Sequence, residues 1–94
     1  MQLAWRAEPV ERVVGQPFAL LVSLCPAEAR LTRVDATMPE HRHGMNYRPK
    51  VITIAPGLYR AEGLLFHMPG RWDLTFDLVT GNTTQRLAST LRAE

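Results

Sequence analysis

Proline and glycine interrupt this chain at short intervals throughout, and that spacing constrains its fold more than any other feature. The seven prolines lie at positions 9, 17, 26, 39, 49, 56 and 69, and the six glycines at 15, 44, 57, 63, 70 and 81. Proline removes a backbone donor and glycine weakens a helix, so no helix of ten or more residues fits comfortably between these breaks. The 94 residues must therefore build their core from short strands.

The segments between the breaks carry strand patterns. In 71–79 the large apolar residues Trp72, Leu74, Phe76 and Leu78 alternate with charged and polar ones, which is typical of a half-buried antiparallel strand. Trp72 is expected in the core, and Tyr59, after the turn at 56–57, is expected to bond the backbone through its hydroxyl. We predict an all-β chain whose residues 1–94 form a single antiparallel β-sandwich of about seven strands, immunoglobulin-like, with a cupredoxin-like arrangement as a variant. The predicted strands are 3–7, 18–24, 31–38, 51–55, 58–67 (bent or bulged at Gly63), 71–79 and 83–91.

Charge and composition argue against several functions. The formal net charge is +2, and ten arginines and Lys50 are scattered without a basic run, so we expect no nucleic-acid partner. No apolar stretch is long enough to cross a membrane. No nucleophile–base–acid arrangement is visible, and Asp35, Asp73 and Asp77 fall on outward faces of strands, so we expect no enzyme. Cys25 is the only cysteine; it allows no internal disulfide and is expected to be a packed thiol rather than a ligand.

Histidine and methionine are concentrated in two short stretches. The three histidines, and the three methionines other than Met1, all lie in 38–47 or in 67–70. If successive strands alternate in direction, the segments after the third and fifth strands leave the sandwich at the same end. We therefore expect the two stretches to be neighbours at one rim.

Imidazole and thioether groups together favour copper, because thioether sulfur is a good ligand for Cu(I) and a poor one for zinc, calcium or magnesium. Two histidines separated by one residue leave the same face of an extended segment, and Gly44 then lets the backbone turn. Met38, in phase with its strand, is assigned to the core, and Asn46 and Tyr47 are expected to orient a histidine. The predicted metal ligands are His41, His43, Met45, His67 and Met68.

Three alternatives remain open at this point. The methionines could cap one end of the core as gap-fillers, with the histidines exposed or bonded to backbone carbonyls. The three histidines could hold zinc, which would leave the methionines unexplained. Finally, the same loops could form the contact surface of a β-sandwich interaction module that binds no metal.

The motifs resemble those of the YtkA-like and FixH-like group of small exported β-sandwich domains. The resemblance lies in Met38-Pro39-x-His41-x-His43-Gly44-Met45, in Pro56-Gly57-x-Tyr59 and in Phe66-x-Met68-x-Gly70-x-Trp72, and spans roughly residues 34–79. It implies an immunoglobulin-like domain in the periplasm, a role in copper handling, and a copper-transport or oxidase-assembly protein as partner. The membrane anchor that FixH-type proteins carry is not seen in this sequence.

Overall fold

Antiparallel strands form the regular structure of this protein. The computed structural model describes residues 2–11, 13–40, 42–45 and 47–94, with His43 described by its backbone alone. Within these ranges there is no helix, as the proline and glycine spacing predicts. The strands are β1 (Gln2–Glu8), β2 (Phe18–Cys25), β3 (Arg30–Met38), β4 (His43–Gly44), β5 (Lys50–Ala55), β6 (Leu58–Leu64), β7 (Gly70–Thr80) and β8 (Thr83–Ala93).

The strands form two four-stranded sheets, one with the order β1-β2-β6-β5 and the other with the order β4-β3-β7-β8. Adjacent strands pair antiparallel throughout both sheets. The first sheet matches the ABED sheet of an immunoglobulin domain, and β3-β7-β8 matches its CFG sheet. The predicted β-sandwich is therefore confirmed, in its immunoglobulin-like form. The two-residue strand β4, inside the segment expected to be a loop, was not predicted.

Alternating side chains from both sheets fill the core between them. Trp72, Leu74, Phe76 and Leu78 of β7 are completely buried, which confirms the predicted phase of that strand. Phe66 stacks on Trp72 with ring centroids 4.5 Å apart, and Phe18 meets Phe66 edge-on at 4.9 Å. Each such side chain contributes roughly 1.5–3 kcal/mol through burial, so the core around Trp72 holds the strand ends in place.

The connections differ in length at the two ends of the sandwich. At the short-loop end the strands are joined by residues 26–29, 56–57 and 81–82. At the long-loop end lie residues 9–17, 39–49 and 65–69. The stretches rich in histidine and methionine both belong to the long-loop end, as the alternation of strand directions predicts.

Two expectations about strand ends and Cys25 were wrong. The fifth predicted strand was expected to reach residue 67, but β6 ends at Leu64, just after Gly63 adopts a positive φ of 86°. Cys25 is exposed rather than packed. The ladder explains this, because Leu24 lies in the core and Cys25, the next residue, falls opposite Gln2 on the outer face of β2.

Candidate functional site

The two stretches meet where β3 ends and β7 begins. The β3–β7 ladder sets Thr37 opposite Asp73, one residue before the end of β3. Gly70, the first residue of β7, has a φ of 123°, and a β-carbon added there would come within 2.8 Å of Met38 Cε. The backbone conformation favours glycine here, whereas the flexible methionine tip could shift to admit a β-carbon. This contact joins the 39–49 and 65–69 segments at their bases.

The three methionines of these stretches have different surroundings. Met38 is only 2% exposed and belongs to the core, as its place in the alternation of β3 predicts. Met45 and Met68 are half-buried and pack against the same core from the long-loop end. The thioethers of Met45 and Met68 are therefore the ones that a solute could reach.

The 65–69 segment is fixed to the core by specific contacts. The His67 ring lies edge-on to Trp72, with centroids 5.5 Å apart. The Trp72 indole N–H donates a hydrogen bond to the Met68 carbonyl at 3.0 Å. On the other side, the Gly15 amide donates to the Phe66 carbonyl at 2.9 Å. Half-buried His67 and Met68 thus lie on a segment held by both the core and the β1–β2 connection.

The 39–49 segment turns at Arg42 and then pairs briefly with β3. Arg42 adopts a left-handed φ of 54°, and its amide donates to the Pro39 carbonyl at 3.3 Å, which makes a turn. The segment is thus not extended at Arg42, which was the condition under which His41 and His43 would share one face. Gly44 does not turn the chain either: it lies in β4, paired with Thr37.

The remaining predicted site residues of this segment stand as follows. The backbone of His43 lies opposite Met38, which attaches it to the end of β3. Tyr47 is 58% exposed. His41, Asn46 and the side chain of His43 lie outside the described residues, so their predicted roles stay predictions.

The described donors have a distinct chemical character. Among the described side chains, no three or more histidines, cysteines or carboxylates are grouped in a way that could hold a metal ion. Zinc, calcium and magnesium depend on such groups. The long-loop end also carries the thioethers of Met45 and Met68 and the imidazole of His67. The alternative of three histidines around zinc depends on His41 and the His43 side chain, which are outside this description.

The sequence analysis did not predict the exposed apolar side chains at the long-loop end. In the described part of the chain, the exposed large hydrophobic residues are Val10 (73%), Tyr47 (58%), Ile54 (51%) and Val13 (42%). All but Ile54 lie in the long-loop segments 9–17 and 39–49. The signal available in the sequence was a run containing three valines between Pro9 and Gly15 that fits no strand of the alternating pattern.

The chain was compared with protein-family models, with curated proteins and with solved structures, and none of them matches it. In the part of the chain that the structure describes, no helix is long and apolar enough to span a membrane.

Proposed function

We propose that this protein is a copper-handling module that binds Cu(I) at the long-loop end of its sandwich. The observation that carries the proposal is the position of Met45 and Met68, two half-buried thioethers packed on the core at the same end, with half-buried His67 next to one of them. Cu(I) is the biological metal ion that most prefers thioether and imidazole ligands. His41 and His43, in the adjoining segment, complete the proposed donor set.

Partial burial suits these residues to that role. Because Met45 and Met68 pack against the core, part of their conformational entropy has already been lost on folding, so less is lost when a ligand is bound. The hydrogen bonds from Trp72 and Gly15 hold the 65–69 segment in the same way. A methionine on a flexible loop would lose all of this conformational entropy on binding the metal.

The biological setting of the proposal rests on the motif resemblance. Through the likeness to YtkA-like and FixH-like domains we infer a periplasmic protein whose partner is a copper-transport or oxidase-assembly protein. On this view the protein has no catalytic residues, and Asn46 and Tyr47 act by orienting histidine ligands.

Anaerobic titration with Cu(I), in competition with a chromophoric chelator, tests the proposal. Mutating a residue that only orients a metal ligand typically weakens affinity by roughly 10–100-fold, so removing ligands should cost at least about tenfold. We therefore expect Met45→Leu/Met68→Leu and His41→Ala/His43→Ala each to lose at least that factor. Leucine nearly conserves the volume of methionine, so the first variant should remain folded.

Met38→Leu is the matched control, because it also removes a thioether but from the buried core. Its Cu(I) affinity should equal that of the wild type, and far-ultraviolet circular dichroism should be unchanged in all variants. Copper binding that is equally weak in the wild type and in both double variants would contradict the proposal.

A second candidate is a docking module that acts without metal, and the exposure of Val10, Val13 and Tyr47 favours it. Large exposed apolar side chains at one end of a small domain are typical of contact surfaces. On this view, a partner captured from a periplasmic extract would bind equally in the presence of a copper chelator. Val10→Ser/Tyr47→Ser would abolish capture, whereas Met45→Leu/Met68→Leu would not.

A further inference from the structure

In the described part of the chain no strand lies on the outer edge of β8, and just beyond its last residue the Val14 amide donates to the Glu94 carbonyl at 3.1 Å. β8 is the last strand of its sheet and pairs with β7 along its whole length, from Thr83 opposite Thr80 to Ala93 opposite Gly70, without a register shift. Strand-edge amide and carbonyl groups that no neighbour uses are a template for another strand.

The other long edges lack this regularity. β5 follows Pro49 and contains a register shift between Thr53 and Ala55, and β3 has one between Leu31 and Arg33. Such bulges twist an edge and discourage pairing. β1 is regular but shorter, at 7 residues against 11 for β8. β8 contains no proline, and only Arg86 and Arg92 carry charge along it.

Apolar side chains beside this edge are only partly covered. β1 and β8 are the outer strands of the two sheets at one flank, whereas β3 and β5 approach each other at the opposite flank. Leu3 and Trp5 of β1 and Leu87 of β8 pack against the core yet remain half-buried. A strand added to β8 would extend the sheet past Leu87 and remove more of this surface from water.

We propose that the strand that pairs here is β8 of a second copy, which makes the protein an isologous dimer through an eight-stranded continuous sheet. Only one antiparallel register pairs all of Thr83–Ala93 with the same segment of the partner, and it places Ala88 on the twofold axis. In this register each residue also meets a residue of the same sheet face, as strand pairing requires.

The charges along β8 fit that register. Arg86 falls opposite Thr90 of the second copy, and Arg92 opposite Thr84, so no two like charges are directly opposed. Arg86 is already paired with Asp77 of its own chain, through bonds of 2.7 and 3.2 Å. A shift of the axis to Ser89 would set Arg86 against Arg92, which would be repulsive. Ala88, small and exposed, leaves the axis free of steric conflict.

Sedimentation equilibrium of the whole chain over a range of concentrations tests this proposal. We expect a concentration-dependent dimer, and we expect Ala88→Lys to weaken it at least tenfold, because two ammonium groups would then face each other across the axis. Thr75→Lys is the matched control: Thr75 lies beside Ala88 on the same sheet face, but its two copies would be roughly 14 Å apart at 4.8 Å per strand, beyond the screening length.

Cross-linking checks the register in a background where exposed Cys25 is replaced, Cys25→Ser. Directly opposite strand residues have Cα atoms about 4.5–5.5 Å apart, within the range that a disulfide spans. Ala88→Cys should therefore form a covalent dimer under mild oxidation, and Thr84→Cys, which faces Arg92, should not.

Three outcomes would overturn the proposal: a protein that stays monomeric at millimolar concentration, a dimer unaffected by Ala88→Lys, or equal cross-linking at both cysteine positions. Hydrogen exchange of the β8 amides separates a folding defect from lost association. In a folded monomer the amides paired with β7 stay protected and only the outward ones exchange faster. Copper binding is not assumed in any of these tests.

Discussion

The two ends of the sandwich differ in how closely their connections pack against neighbouring backbone. At the short-loop end, backbone meets backbone: the Leu24 amide donates to the Gly57 carbonyl at 2.7 Å, and the Ala29 amide donates to the Pro26 carbonyl at 3.2 Å. A buried tyrosine adds to this, since the Tyr59 hydroxyl donates to the Ala29 carbonyl at 3.2 Å, as its place after Pro56-Gly57 predicts. Backbone groups and one tyrosine hydroxyl thus close the chain at this end.

The long-loop end also has backbone hydrogen bonds, from Gly15 to Phe66 and from Arg42 to Pro39, and methionine side chains pack beside them. Met38, Met45 and Met68 pack there on the end of the core, and the close approach at Gly70 involves the flexible tip of Met38. Methionine adapts its shape readily, whereas a carbonyl oxygen cannot move without its chain. The comparison predicts that an added methyl group is tolerated less well at the short-loop end, and that the adaptable, chemically distinctive side chains lie at the other.

The largest expected effect on stability comes from adding a methyl group to a glycine at the short-loop end. In Gly57→Ala the new β-carbon would lie 2.9 Å from the Leu24 carbonyl oxygen and 3.2 Å from Ala27, at a φ of 75°. We expect a loss of about 3 kcal/mol in the free energy of unfolding, from backbone strain and overpacking together. Urea denaturation measures it.

Gly15→Ala is the control at the long-loop end. Gly15 has a similar φ of 81°, but a β-carbon there meets nothing within 4 Å. Only the cost of the left-handed backbone remains, about 1 kcal/mol. Equal losses in the two variants would show that the short-loop end is not the more tightly packed one.

A smaller effect is expected from removing one hydroxyl. Tyr59→Phe leaves the Ala29 carbonyl without its buried donor, which should cost about 1 kcal/mol. Tyr47→Phe, at the exposed tyrosine of the other end, should leave the urea midpoint unchanged. If Tyr47→Phe lowered the urea midpoint, the Tyr47 hydroxyl would have a structural role at the long-loop end, contrary to this account.

The smallest effect concerns charge pairs along the β7–β8 ladder. Towards the short-loop end Asp77 is opposite Arg86, and towards the long-loop end Arg71 is opposite Arg92. The hydrogen bond from Arg86 holds the pKa of Asp77 below its usual range, against a weaker opposing effect of burial. A carboxylate with a depressed pKa adds stability above its unfolded pKa of about 3.9, and this is lost as the pH falls through the folded pKa.

The urea midpoint should therefore fall more for the wild type than for Asp77→Asn as the pH is lowered from about 5 to 3. At neutral pH the variant should be slightly the less stable of the two. Because the Arg86 side chain is 63% exposed, solvent and salt screen the pair and the difference is small. Parallel pH profiles for the two proteins would contradict this account.

The sequence was informative wherever a property is local. Alternation identified the core face of β7, and the same alternation, followed one residue past Leu24, would have placed Cys25 outside. The general tendency of cysteine to be buried was therefore the weaker guide. The early end of β6 has a local cause as well, since Gly63 takes a positive φ that a regular strand does not use.

The geometry of the 39–49 segment could not be predicted in the same way. Its turn rests on a left-handed conformation at Arg42, an uncommon choice for a residue that is not glycine. The pairing of His43 with Met38 then attaches the segment to β3. Neither feature has a sequence signature, because both depend on how the segment packs after the sandwich has formed.

The bond from the Trp72 indole to the Met68 carbonyl has an optical consequence. Trp72 is completely buried between Phe66 and His67. Its fluorescence is therefore expected at shorter wavelength than that of a solvent-exposed tryptophan. Any displacement of the 65–69 segment alters that hydrogen bond. The emission maximum or the quantum yield of Trp72 fluorescence then changes. Half-buried Trp5 lies away from this segment on β1, and in a Trp5→Phe background the protein would report on its own long-loop end without a label.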